Sequence, residues 1–233
     1  LWDEHTLLCC SRWQGLLLLD LKTGKYNPPP FDCGKEIMNI FIDSQKRIWV
    51  APYNGGLNCL TRDGKLLATY TTRNSSLSNN VVLSLAEREG QIWIGTDGGG
   101  INVFEGDKRI AIYKKETGDI PSNFILTSLQ DSKGNLWFGS FQGGISYYDT
   151  RNKRFRSISL MGQYNQDVRT IYEDTQHNIW VGYSGGIIVL NPLNMEIIRH
   201  YNTENSELHS NFVRSIAQDE KGRFWIGTFG DGL

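Results

Sequence analysis

The chain has 233 residues, enough to bury a sizeable core in one all-β region. Its 39% hydrophobic and 21% charged residues exclude a disordered chain, while 25 glycines and 12% aromatics favour many short strands joined by tight turns. A net charge of −1 excludes an electrostatic footprint for nucleic acid or an anionic membrane, and the four leucines at 16–19 are far too short a run to span a bilayer.

From the N-terminus, LLCCSRWQGLLLLD (7–20) reads as the second and third strands of a unit without its opening strand, with Leu8 where later units carry tryptophan. No signal peptide is visible and the first residue is Leu, so the chain reads as cut from something longer. From Arg47 onward five strings align: RIWVAPYNGGL, QIWIGTDGGGI, NLWFGSFQGGI, NIWVGYSGGII and RFWIGTFGDGL. Their tryptophans, Trp49, Trp93, Trp137, Trp180 and Trp225, follow one another at intervals of 44, 44, 43 and 45 residues. That period, with four strand-like segments per unit, is the signature of propeller blades. Residues 80–117 show one unit: alternating NVVLSLAE, a tight turn, nearly all-apolar QIWIGT, a DGGG turn, INVFEG and KRIAIYKKE. Alternation marks a half-covered strand; the all-apolar second strand marks one covered on both faces, as flanking blades would do.

The predicted fold is all-β, a β-propeller of four-stranded antiparallel blades. It has a partial blade at 1–35, blades at 36–78, 79–122, 123–165 and 166–210, and a partial blade at 211–233. The terminal pieces overlap in their second strand and do not complete each other. The chain is therefore read as an arc of a larger propeller whose cut edges invite self-pairing.

Five tryptophans at one position of a buried strand point to packing between blades, where an indole buries most area, rather than to ligand platforms. The residue two places on is small (Ala51, Gly95, Gly139, Gly182 or Gly227), leaving room for a large group of the next blade. The turns DSQKR, DSKGN, DTQHN and DEKGR open on an Asp that bonds backbone N–H groups; they lack the alternating acids of a calcium loop. Cys9, Cys10, Cys33 and Cys59 lack zinc-site spacing and read as small apolar strand residues, with a disulfide open if the protein is exported. No metal or cofactor is expected.

Three stretches carry a family resemblance: LSNNVVLSL followed by GQIWIGTDGGGINVF, SNFILTSLQDSKGNLWFGSFQGGISYYD, and SNFVRSIAQDEKGRFWIGTFGDGL. They resemble the two-component regulator propeller repeat, and the likeness spans essentially the whole chain. The departures are the first unit, without its tryptophan, and the second, where Ala51-Pro52 replaces Gly-Thr. The resemblance implies the extracytoplasmic sensor region of a Bacteroidetes-type hybrid two-component system histidine kinase. It further implies a periplasmic portion of an inner-membrane protein, an oligosaccharide ligand derived from glycans, and a receptor dimer that binds rather than catalyses. Kinase activity belongs to the parent protein.

In a four-stranded blade the loop between strands two and three, and the segment opening the next blade, lie at one end. The first set offers Arg12 and Trp13, Tyr53 and Asn54, Asp97, Phe141 and Gln142, Tyr183 and Ser184, and Phe229. The second offers Asn79 and Asn80, Asn123, Asn165 with Gln166 and Asp167, and Asn211. Aromatic faces interleaved with amides and carboxylates suit a sugar, so these are the expected ligand-binding residues. The plain alternative is that the asparagines form turns and the aromatics pack between blades.

Hydrolytic or eliminating propellers need clustered acids and bases or a metal at the central channel. Here His5, His177, His200 and His209 are scattered, with only His209 near the proposed loops, and no HExxH, GxSxG or nucleotide loop occurs. The alternatives to a sensor are a lyase similar to the streptogramin lyases, whose blades also read GNIWxx, and a protein-interaction scaffold.

Overall fold

The computed structural model describes residues 2–11, 13–32, 34–158, 160 and 166–233; Arg12, Cys33 and Asn165, singled out above, lie outside the described residues. Among the described residues every regular element is a β-strand, and no helix is long and apolar enough to cross a membrane. The first sheet has three strands, β1 (Thr6–Ser11), β2 (Gly15–Asp20) and β3 (Tyr26–Asn27). Four-stranded sheets follow. The first of them holds β4 (Ile37–Ile42), β5 (Ile48–Pro52), β6 (Leu57–Leu60) and β7 (Leu66–Tyr70); the next holds β8 (Val82–Arg88), β9 (Gln91–Thr96), β10 (Ile101–Glu105) and β11 (Lys108–Tyr113). Then come β12 (Ile125–Gln130), β13 (Leu136–Ser140), β14 (Gly144–Asp149) and β15 (Arg154–Ile158), and after them β16 (Val168–Glu173), β17 (Ile179–Tyr183), β18 (Gly186–Asn191) and β19 (Glu196–Tyr201). A two-stranded sheet, β20 (Val213–Gln218) and β21 (Phe224–Thr228), ends the chain. Each sheet runs in sequence order, as blades of a meander do, so the all-β propeller expected from the repeat is the fold observed.

The chain divides into two compact units, Leu1–Asp97 with Asn102–Ile112, and Gly98–Ile101 with Tyr113–Leu233. In the first unit, Leu8, Leu16, Ile37, Ile48 and Val50 fill the space between the first two sheets, and Trp49, Leu57, Tyr70, Val82 and Phe104 fill the next. In the second unit, Trp137, Ile145, Val168, Val181 and Tyr183 form one core, and Ile187, Val213 and Ile216 another.

The tryptophans sit differently along the chain. Trp49, Trp93 and Trp137 are buried. Trp180 is half-buried and stacks on Phe224 of the next sheet, with ring centroids 3.8 Å apart. Trp225 is 46% exposed, because no sheet follows β21 among the described residues. A Cβ on Gly139 would overlap Val168, and one on Gly182 would lie 2.7 Å from Val213, so the small residue after the indole admits the next blade's opening valine.

The turn aspartates do two things at once. Oδ1 of Asp43, Asp131, Asp174 and Asp219 accepts the backbone N–H four residues on, at 2.8–2.9 Å. Oδ2 of the same four accepts the indole N–H of Trp49, Trp137, Trp180 and Trp225, at 2.8, 3.0, 2.8 and 3.2 Å. The first role follows from turn chemistry; the second, which locks the indole to its own turn, does not. The remaining cysteines are free: Cys59 is buried, and burial pushes its thiol up to about 11, whereas Cys9 is half-buried and Cys10 exposed.

Candidate functional site

Every opening strand begins with the same irregularity. Pairing with the following strand slips by one residue between Ile37 and Asn39, Val82 and Ser84, Ile125 and Thr127, Val168 and Thr170, and Val213 and Ser215. The extra residues are Met38, Leu83, Leu126, Arg169 and Arg214. A bulge leaves its residue outside the hydrogen-bonded ladder and re-aims the side chain, so five blades each present one side chain beside the loop between strands two and three.

The blade-opening asparagines are fastened to the loops around them. The side-chain carbonyl of Asn80, Asn123 and Asn211 accepts the backbone N–H of Thr72, Lys115 and Thr203, each at 2.8 Å and eight residues upstream. Their backbone carbonyls accept from Gly56, from Gly98 and Gly100, and from Gly186. Three equivalent residues doing the same work are turn fittings, and the Asn123 amide N–H is engaged as well, donating to Glu116 Oε1 at 2.7 Å.

The loop aromatics divide into two kinds. Trp13 is 72%, Tyr53 53% and Phe229 64% exposed, with Asn54 and Asp97 also exposed. Phe141 is half-buried and meets Phe124 edge-on at 6.2 Å. Tyr183, by contrast, is buried, its hydroxyl 3.1 Å from His200 Nε2. This corrects its placement on the exposed face, and the reason lies in the loop length. Gly144 lies seven positions after Trp137 but Gly186 only six after Trp180, so Tyr183, three before its glycine as Phe141 is, falls at the inward strand position that Ser140 occupies. Ser184 takes the place of the outward aromatic.

That substitution opens a cleft of about 240 Å³ in the second unit, lined by Asp167, Arg169, Ser184, Phe212, Val213, Arg214 and Phe229. The Gln142 backbone N–H donates to Asp167 Oδ1 at 3.0 Å, and Asp167 Oδ2 lies 4.0 Å from Arg169. Arg214 lies over the Phe229 ring, 5.0 Å from its centroid. Burial, and then the neighbouring Arg214 charge, hold the Arg169 guanidinium below its ordinary value, against the opposing pull of Asp167. Of these lining residues Asp167, Ser184 and Phe229 are legible as loop-end candidates in the sequence and the two arginines are not; the arginines' signal is a basic residue at the second place of an otherwise apolar strand opening.

At the opposite, turn end of the blades, Ser132, Glu173 and His177 form a cluster that resembles a catalytic triad only in composition. His177 Nδ1 lies 2.8 Å from Glu173 Oε1 and 3.0 Å from Ser132 Oγ, so both partners use one ring nitrogen, whereas general-base catalysis places them on opposite nitrogens. Ser132 donates its backbone N–H and its hydroxyl to the Glu173 carboxylate, at 2.6 and 2.5 Å, and Ser44 makes the same pair of hydrogen bonds to Glu87 in the first unit without any histidine, both at 2.6 Å. The arrangement is a latch from one blade to the next.

Comparison with known proteins agrees with this architecture. The family model described as two component regulator propeller matches residues 76–98, 119–142, 165–185 and 207–230. No curated protein matches the chain. Among solved structures, the extracellular domain of the putative hybrid two component system BT3049 from B. thetaiotaomicron is 44% identical over 97% of this chain and 31% of its own, with a TM-score of 0.64. The extracellular domain of BT4673, a putative hybrid two component system of the same organism, is 19% identical over 97% of this chain and 33% of its own, with a TM-score of 0.76. Virginiamycin B lyase from Staphylococcus aureus is 12% identical over 82% of this chain and 62% of its own, with a TM-score of 0.63. The chain spans about a third of the length of the first two. The likenesses at 19% and 12% identity are ones of fold alone, so the lyase alternative draws nothing from the last.

Proposed function

Because this chain is built of two-component regulator propeller repeats, we propose that it is the ligand-sensing, periplasmic portion of an inner-membrane hybrid two-component receptor, recognising a glycan-derived oligosaccharide and regulating a cytoplasmic histidine kinase. The observation that carries this reading is the 44% identity to the extracellular domain of one such system, which extends over nearly the whole chain. The loop end of the blades supports it: Trp13 and Tyr53 in the first unit, and Phe229 in the second, offer exposed aromatic faces, and Asn54 and Asp97 in the first unit and Gln142 in the second are exposed polar groups. The role is binding, not catalysis: the one Ser–His–Glu cluster on the described residues has the geometry of a latch.

Signal transfer then requires a receptor dimer with two arrangements, one of which the ligand favours; equal affinity for both would transmit nothing. Thermal unfolding of the chain against a panel of oligosaccharides tests the reading. A saccharide that binds the folded state raises Tm in a concentration-dependent way, and Tyr53→Ala and Phe141→Ala reduce the shift. A panel of neutral and acidic saccharides that leaves Tm unmoved at millimolar concentrations overturns it.

A further inference from the structure

We propose that the cleft between β16 and β20 binds the anionic group of an acidic saccharide, a ring carboxylate or sulfate, through Arg169 and Arg214. The proposal rests on the glycan-sensing reading and names the ligand chemistry of one part of it.

The first argument is the contrast between equivalent positions. The bulge that opens each blade carries Met38, Leu83 and Leu126 in three blades and an arginine in the two that border the cleft. The ladder does not require arginine there, since apolar residues fill the same bulge three times. The second argument is charge. Two guanidiniums and one carboxylate line the cleft, a balance of one positive charge. Asp167 lies near Arg169 at 4.0 Å, and among the described residues no carboxylate lies within ion-pair distance of Arg214. Like charges brought together in a partly desolvated cleft repel, and an anion seated between them relieves that repulsion. Guanidinium forks match the planar oxygens of a carboxylate or the tetrahedral oxygens of a sulfate better than any other side chain.

The third argument is the surroundings of the charge. Phe212 and Phe229 are 51% and 64% exposed at the cleft and offer flat apolar faces to the C–H side of a ring. The volume is below the roughly 300–1,000 Å³ of pockets that swallow a drug-sized ligand, so the cleft takes one charged sugar unit and leaves the rest of a chain outside. Ser184, standing where three of the four equivalent loops carry an aromatic, adds a hydroxyl and keeps the mouth open.

The test is titration calorimetry on the intact chain with trigalacturonate, a sulfated glucosamine–uronate disaccharide, maltotriose and inorganic sulfate as probes. One of the two acidic saccharides is expected to bind at least about tenfold more tightly than either maltotriose or inorganic sulfate, and less tightly as salt is raised. Arg214→Met and Arg169→Met should each weaken that binding by about ten- to a hundredfold, Arg214→Met more, since among the described residues no carboxylate lies within ion-pair distance of it. Methionine already occupies this bulge at position 38, so these variants keep the fold, and circular dichroism confirms it. Asp167→Asn, which retains an acceptor for the Gln142 N–H, should tighten binding by removing the competing carboxylate. Acidic-saccharide binding that ignores both arginine variants, or inorganic sulfate binding as tightly as the saccharides, overturns the proposal. Binding of maltotriose alone, unaffected by the variants, overturns it too but leaves the glycan-sensing reading standing. Failure of every saccharide to bind removes both.

Discussion

At the turn end of the blades, four aspartates make the same pair of hydrogen bonds, one to a backbone N–H and one to an indole, whereas at the loop end the bulge residue changes from Met38, Leu83 and Leu126 to Arg169 and Arg214. Both ends belong to the same strands, and both are repeated structurally in blade after blade. They differ in what the side chain is required to do. At the turn end it satisfies groups that burial would otherwise leave unpaired, so its identity is dictated by the fold. At the loop end the bulge residue owes nothing to the ladder, so its identity is open to another demand. Repetition therefore marks the architecture, and a break in repetition, at a position whose backbone still repeats, marks candidate function.

The largest effect that bears on this contrast is expected at the buried indoles. Trp137→Ala should cost about 3–5 kcal/mol in denaturant unfolding, whereas Trp225→Ala, at a residue 46% exposed, should cost well under half of that. Equal losses at the two sites would break the claim that burial between blades sets the role of the tryptophan. Next in size is Asp131→Ala, which strips the acceptor from a buried indole N–H and a turn N–H; about 1.5–3 kcal/mol is expected, measured the same way.

A smaller, pH-dependent effect belongs to the turn carboxylates. Burial pushes the Asp174 carboxyl up, but hydrogen bonds from the Trp180 indole and from Asn178 outweigh it and leave it below its ordinary value. The Asn152 and Arg151 N–H groups and the Arg156 charge likewise hold the Asp149 carboxyl down, to about 2. A carboxyl depressed in the folded state contributes stability that is complete above its unfolded value near 4 and is lost as pH falls through the folded one. Stability should therefore decline between about pH 5 and pH 2, and Asp174→Asn should flatten that decline. An unchanged acid limb in the variant would remove the indole–carboxylate bond from the account. The smallest effect sharpens the contrast from its other side: Arg169→Met and Arg214→Met should shift stability by no more than about 0.5 kcal/mol.

The period and the strand order were legible in the sequence because five tryptophans, their small neighbours and the turn aspartates recur at nearly constant spacing. Local chemistry was legible where one residue acts on its own neighbours, as in the Asp turns. It was not legible where one residue's length decides the outcome. Tyr183 looks like a loop aromatic by composition, and the single missing residue before Gly186 turns it inward. Nor were Arg169 and Arg214 visible as a pair, since the register slip that brings each to the loop end is a property of strand pairing rather than of the letters on one strand. The second task of the turn Asp, gripping an indole six residues away, was hidden because it joins two patterns that had each been explained separately.

The recurring register slip has an evolutionary consequence. Each of the five bulged blades holds one socket whose occupant stands outside the ladder, so a single codon change there alters the side chain offered at the loop end without disturbing the strands. Five such sockets, varied independently, give one scaffold a repertoire of loop-end surfaces that can be explored blade by blade, and duplication of a blade supplies a fresh one.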